Sequence, residues 1–158
     1  MKKIVSRSEI KVIADRERAE NKRIVFTNGC FDLLHTGHVK YLAAAAAQGD
    51  LLVVGLNSDQ SVRAIKGDKR PIINENQRAE VVAALACVDH VVIFHEADPG
   101  ALIREIKPHV LAKGADWPED KIIGGDFVKI NGGRVARITL EPDISTTLII
   151  EKIVKTFG

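Results

Sequence analysis

An α/β fold is predicted, a Rossmann-like doubly wound sheet of about five mainly parallel strands with helices on both faces, on three features of the chain. Strand-like and helix-like segments alternate along its length. Segment 51–57, Leu-Leu-Val-Val-Gly-Leu-Asn, is apolar at almost every position, as a parallel strand covered on both faces must be. Polar residues gather just after the expected strand ends, and ligands of such sheets bind at those carboxyl ends. Right-handed strand-helix-strand crossovers join parallel strands economically, which favours this topology over an antiparallel one.

The length of 158 residues suits a single domain, with a leading helical segment over 1–23 and a core over 24–158. Hydrophobic residues at 46% and charged residues at 28% exclude a long disordered or collagen-like region. With 23 basic and 21 acidic residues the net charge is +2, too balanced to announce binding to nucleic acid or to a membrane surface. Arg7, Glu9 and Lys11 interrupt any secretory apolar run, and no stretch approaches the ~18 apolar residues of a membrane span, so a cytoplasmic protein is expected. Cys30 and Cys87 stand far apart, without metal-ligand spacing, which points to free thiols and to no protein-held metal.

In chain order, a helix is expected over 8–20 and a β-branched, aromatic strand over 24–29, stopped by Gly29. An alanine-rich helix follows over 41–48, ended by Gly49, and then the strand 51–57. Residues 66–71, Lys-Gly-Asp-Lys-Arg-Pro, read as a loop. Asn74 with Gln77 three residues later opens a helix whose Ala79, Val82, Ala83 and Ala86 recur at helical spacing, ending near Cys87 or Val88. Strand 90–94, helix 99–106, strand 110–113, strand 134–139 and helix 146–156 complete the alternation, while glycine-rich 121–133 resists assignment.

The densest chemical signal is residues 29–38, Gly-Cys-Phe-Asp-Leu-Leu-His-Thr-Gly-His, where the first strand gives way to its helix. Gly37 permits close backbone approach, and His35 and His38, three apart, fall on one side of a first helical turn. Imidazole N–H groups added to the free amides of a helix N-terminus make a receptor for phosphate oxygens, above all where negative charge builds during phosphoryl or nucleotidyl transfer. There is no Gly-rich P-loop with its lysine. Ser145, Thr146 and Thr147 open the last helix and form a second receptor of the same kind. Lys66, Lys69 and Arg70 place cations in a loop suited to a lid that moves onto a phosphate. Arg78, in a first helical turn where a cation is disfavoured, hints at an anionic partner or simply faces solvent. His90, His95 and His109 receive no role, and Cys30 reads as a small apolar residue.

At residues 28–38 the chain resembles the H-x-G-H nucleotidyltransferases of cytidylyltransferase-like type. Residues 26–32, 54–59 with 61–63, 66–71, 113–117 and 145–147 carry the same likeness, which spans roughly 22–156. These segments are most similar to the adenylyltransferase branch that makes ADP-heptose from D-glycero-β-D-manno-heptose 1-phosphate for lipopolysaccharide core or related glycans. The resemblance implies ATP and a sugar 1-phosphate as substrates, with Mg²⁺ carried in on the ATP. It implies catalytic roles for His35, His38 and Lys66. Nucleotide contacts are implied for Asn28, Gly29, Cys30, Phe31, Gly37, Lys113, Gly114, Asp116, Ser145, Thr146 and Thr147, and sugar-phosphate contacts for Asp32, Asn57, Arg70 and Arg78.

Two departures from the family pattern stand out. Ala115 occupies a position where a second glycine is usual, and Leu148, Ile149 and Ile150 stand where some branches carry an arginine, which argues against the mononucleotide-specific enzymes. Trp117 either stacks on a base or covers the sheet end. Many relatives are fused to a ribokinase-type sugar kinase that 158 residues cannot hold, so a separate kinase is expected to supply the substrate. Homo-oligomerisation is left open. Two rival readings are a cytidylyltransferase acting on a small alcohol phosphate such as glycerol 3-phosphate, and a nucleotide-binding regulatory domain without turnover.

Overall fold

The computed structural model describes residues 2–158. Its sheet is built from β1 (Ile24–Gly29), β2 (Leu51–Asn57), β3 (His90–Phe94), β4 (Val110–Gly114) and β5 (Arg134–Ile138), in the order β3-β2-β1-β4-β5. Every pairing within it is parallel. Alternate residues of each strand serve opposite faces, as the pleat requires. Val25, Leu52, Val54, Val91, Val110 and Ala112 face one core layer, while Ile24, Phe26, Val53, Val92 and Leu111 face the other. The first layer is closed by α2 (Thr36–Ala46), through Leu42 and Ala45, and by α4 (Glu75–Ala83), through Ala79 and Val82. The second is closed by α1 (Arg7–Ala19), α5 (Gly100–Ile106) and α6 (Gly125–Ile130), through Ile10, Ala14, Leu102, Ile103, Ile106 and Val128. Gly55 interrupts an otherwise branched strand because a Cβ there would come within 2.8 Å of the Phe26 ring.

The expected strands stand where the sequence placed them, within one residue at their ends. Several helices differ. α2 begins at Thr36 rather than near Tyr41, so both histidines of 35–38 belong to its start. Asn74 does cap α4, its side chain accepting from the Gln77 amide at 3.0 Å, but the helix stops at Ala83, and residues 84–88 continue in tighter turns, with the Leu85 and Val88 amides donating to the carbonyls of Val82 and Leu85. An additional helix, α3 (Asp59–Lys66), follows β2 where the sequence pattern predicts none; Ser58 caps it by accepting from the Ser61 amide. The unassigned region 121–133 holds α6, framed by Gly124 and Gly132 in left-handed conformation. The last helix, α7 (Thr146–Phe157), is capped by Ser145 and buries none of its residues: Leu148, Ile153, Val154 and Phe157 are all exposed.

Residues 3–5 run alongside β3. The Val91 amide donates to the Lys3 carbonyl at 2.9 Å and the Val5 amide to the Val91 carbonyl at 3.0 Å, covering part of an otherwise open sheet edge. Among the described residues no helix is long and apolar enough to cross a membrane.

Candidate active site

The strand order reverses direction beside β1, where the chain leaves β1 for β2 on one side and later returns to β4 on the other. A cavity of about 510 Å³ opens at the carboxyl ends of these strands. From β1 and the loop after it come Asn28, Gly29, Cys30, Phe31, Asp32 and His35, and from the first turns of α2 come Gly37 and His38. Asn57, Lys66 and Arg70 approach from the β2 side, and Lys113, Gly114 and Asp116 from the β4 side. Ser145, Thr146 and Thr147 close the rim with the start of α7. All the sequence-singled residues but two therefore line a single cleft. The exceptions are Lys69, which is exposed on its loop, and Arg78.

Arg78 is 1% exposed and works inside the protein. Its Nε donates to the Ile73 carbonyl at 2.8 Å, Nη1 to the carbonyls of Cys30 and Asn57 at 2.5 and 2.9 Å, and Nη2 to Asp59 Oδ1 at 2.8 Å. The guanidinium thus ties together the ends of β1 and β2, the start of α3 and the segment before α4. The expected contact with substrate is corrected accordingly: four of its five N–H donors meet protein acceptors, and it neither lines the cleft nor faces solvent. Asp32 needs a similar correction. Its carboxylate is closed off from solvent, with Oδ2 accepting from Arg70 Nε and the Ile72 amide, both at 2.8 Å, and Oδ1 from the Ile73 amide at 3.0 Å. Burial alone would raise its pKa, but the two amides and the Arg70 guanidinium outweigh it and hold the group below the usual value. The sequence gives no sign of these contacts because they join positions about forty residues apart. Segment 66–71 is correspondingly anchored to Asp32 through Arg70, while Lys66 and Lys69 make no ion pair among the described residues.

The histidine pair is built by local geometry. The rings of His35 and His38 stack with centroids 3.8 Å apart and 26° between planes, and Phe31 meets His38 edge-on at 5.5 Å. Gly37 makes this stack fit, since a Cβ there would lie 2.9 Å from His35 Cε1 and 3.1 Å from Ile144 Cγ2. His38 Nδ1 accepts from the His35 amide at 3.3 Å, so in the neutral ring the proton sits on Nε2. Burial, helped by the neighbouring His35, pushes the His38 pKa down to about 4, and burial also lowers that of His35. Both rings are therefore neutral N–H donors at pH 7. Phe31 and Leu33 hold positive φ values of 47° and 52°, a left-handed backbone that costs non-glycine residues about 1 kcal/mol or more each and that this turn sustains by packing Phe31.

Around the pair, several polar groups await partners. Asn28 Oδ1 and His35 Nδ1 are buried without a hydrogen bond among the described residues. Lys113 makes no ion pair among the described residues; burial lowers its pKa, Asp116 opposing the effect. Lys66, at the end of α3, is likewise unpaired among the described residues. Burial raises the pKa of Cys30, against the pull of Lys66, Arg78 and Arg70, so the thiol stays protonated. Trp117 is half-exposed on the cleft rim, away from the core.

Tyr41 lines the floor and was missed in the sequence, although it follows His38 at helical spacing. Its hydroxyl donates to the Ala112 carbonyl at 3.1 Å and lies 2.8 Å from Thr27 Oγ1, fastening α2 to β1 and β4, and burial pushes its pKa up to about 12. Glu141 and Ile144 also line the cleft, Glu141 pairing with Lys40 at 3.0 Å. Across the cavity Ser145 caps α7, and Thr146 Oγ1 donates to the Asp32 carbonyl at 2.6 Å, locking the second helix start to the first loop. Among the described residues no group of three or more His, Cys, Asp or Glu is arranged to hold a metal ion.

Known proteins share this fold. Residues 26–152 match the cytidylyltransferase-like family. The chain is 53% identical to the bifunctional protein HldE of Pelobacter propionicus across 99% of its own length, and 56% identical to that of Methylobacillus flagellatus across 86%. It spans about a third of the length of these curated relatives, 32% and 28% respectively. A lipopolysaccharide core biosynthesis protein from Thermoplasma volcanium superposes with a TM-score of 0.62 at 31% identity, over 76% of this chain and 97% of that one. The pantoate-beta-alanine ligase of Francisella tularensis shares the fold at a TM-score of 0.60, with 15% identity over 98% of this chain and 78% of the ligase. A match that takes in residues 26–152, with the stacked histidine pair at the switch point inside it, makes this chain a member of the cytidylyltransferase-like family of nucleotidyltransferases.

Proposed function

We propose that the cleft transfers AMP from ATP to a sugar 1-phosphate, D-glycero-β-D-manno-heptose 1-phosphate, giving ADP-heptose and pyrophosphate for lipopolysaccharide core or a related surface glycan. One observation carries the reading: two neutral imidazoles stacked at the start of α2 face the start of α7 across one cavity, forming a two-sided phosphate receptor. The heptose branch is supported by the names of the relatives, HldE and a lipopolysaccharide core biosynthesis protein.

An oxygen of the sugar phosphate attacks the α-phosphorus in line. The bond from that phosphorus to the α,β-bridging oxygen breaks, and pyrophosphate leaves with the electron pair. The nucleophile is already ionised near neutral pH, so no general base is required and catalysis reduces to alignment and charge stabilisation. The His38 Nε2–H and the His35 ring donate to phosphate oxygens as charge grows on them, Lys66 adds a cation, and the α7 amides with Thr147 hold the far phosphates. Lys113, Gly114 and Asp116 face the nucleoside on the β4 side. Magnesium arrives as part of the MgATP substrate, bound through phosphate oxygens. A sugar kinase acting on the anomeric hydroxyl is the class of reaction that would supply the acceptor.

Pyrophosphate release, measured for each nucleoside triphosphate against a panel of sugar 1-phosphates and glycerol 3-phosphate, tests the reading. ATP with the heptose 1-phosphate should be fastest. Preference for CTP with glycerol 3-phosphate would replace it with the small-alcohol cytidylyltransferase, and absence of turnover with every pair would leave a nucleotide-binding domain.

A further inference from the structure

The Asp32–Arg70 pair has an asymmetry. Arg70 meets Asp32 through Nε alone, at 2.8 Å, and among the described residues neither Nη nitrogen has a hydrogen-bond partner. A guanidinium bound for its own sake by a carboxylate usually engages it side-on or end-on with two nitrogens. Here each carboxylate oxygen also accepts a backbone amide, Oδ2 that of Ile72 and Oδ1 that of Ile73, which fixes Asp32 in place, and Arg70 keeps a single point of attachment. The Arg70 side chain is 14% exposed and lines the cleft, so the two terminal nitrogens form a fork at its wall.

We infer that Asp32 is a positioning residue that holds Arg70 by its Nε, so that the two Nη groups form a preset bidentate receptor for the phosphate of the acceptor sugar. The assignment to the acceptor rather than to ATP follows from topology. Arg70 reaches the cleft in the connection that follows β2, on one flank of β1, whereas Lys113, Gly114 and Asp116 stand at the end of β4 on the other flank. The nucleophile and the nucleoside therefore enter from opposite sides of His35 and His38. Preorganising the fork removes the entropy cost of ordering a long side chain when the phosphate binds. This inference rests on the proposed reaction for the identity of its ligand.

Calorimetric titration of the full chain with D-glycero-β-D-manno-heptose 1-phosphate, and separately with ATP, tests it. Asp32→Asn should weaken sugar-phosphate binding about tenfold and leave ATP binding within about twofold. Arg70→Lys keeps the charge and loses the fork, and should do the same. The double variant should bind no more weakly than Arg70→Lys alone, because Asp32 acts through Arg70. A purely architectural Asp32 would weaken both ligands together and add to Arg70→Lys, and either result overturns the inference, as does unchanged sugar-phosphate affinity in Asp32→Asn.

Should Asp32→Asn not fold, nitrogen-detected spectra of the arginine side chains in the wild-type chain decide. The Arg70 Nη signals must shift on adding the sugar phosphate and stay unmoved with ATP; no shift with the sugar phosphate overturns the inference. Arg70-dependent binding of the sugar phosphate without formation of ADP-sugar would leave the fork standing and remove the proposed reaction. ADP-sugar formed by Asp32→Asn at an unaltered KM for the acceptor would do the reverse.

Discussion

The imidazole of His38 is stacked on His35, edged by Phe31, and supplied at Nδ1 with a backbone donor, which leaves Nε2–H as its one free donor in a residue that lines the cleft. His38→Ala should lower kcat by roughly 100- to 1000-fold, the usual cost of removing one preorganised donor to growing charge, while ATP binding changes little; steady-state kinetics alongside ATP titration separate the two. Gly37→Ala bears on the same stack. The added methyl meets the side chains of His35 and Ile144 rather than backbone, so melting temperature should hardly move while displacement of the His35 ring lowers kcat. Protonation supplies an independent check. The folded pKa of His38 lies near 4, below its unfolded value of 6.5, so the unfolded chain takes up the proton first as pH falls. Its stabilising preference is intact above pH 6.5 and drains away between 6.5 and about 4, a trend reinforced by His35, His90 and His109, whose pKa values desolvation also lowers. Urea midpoints measured across that window should fall, and His38→Gln should flatten the slope. The pair was legible in the sequence because its residues are contiguous and its chemistry is local. Arg78 and Asp32 were not, since a buried guanidinium and a surface one look alike until the chain has folded around them.

Among the elements, the strands were legible because burial on both faces writes long apolar runs, as in 51–57. α3 escaped notice: only two of its residues, Ser61 and Val62, are buried, leaving too little apolar period to see, though the Ser58 cap was a usable sign. α6 was hidden by its glycines, and the early start of α2 by an N-terminus whose caps are histidines rather than Ser, Thr, Asp or Asn. α7, by contrast, was readable from Ser145 onward. What could not be read is its attachment to the β1–α2 loop through the Thr146 hydroxyl. Thr146→Val should cost about 1 kcal/mol, the typical net worth of one such hydrogen bond, and raise KM for the nucleotide, with Thr146→Ser restoring most of both. Chemical denaturation and initial-rate kinetics give the two numbers.

On the scale of the whole molecule, the alternation of elements foretold a parallel sheet, and the strand order β3-β2-β1-β4-β5 gathers segments from residues 28 to 147 into one cavity at the strand ends. Order along the chain could not show that Lys66 and Lys113 flank the same space, because that depends on which strands become neighbours. The outermost helix has a different standing from the rest. With no buried residue, α7 relies on its first turn for anchorage, and a free helix of about a dozen residues is only marginally stable in water. Hydrogen exchange should therefore be fast over 150–157 in the free protein and slow when nucleotide is bound, since phosphates pinning the amides near Thr147 act as the nucleus from which the helix propagates. Occupancy of the cleft would then be reported as protection at Phe157, a full helix length away, and a label placed there would serve as a gauge of nucleotide binding without touching the site.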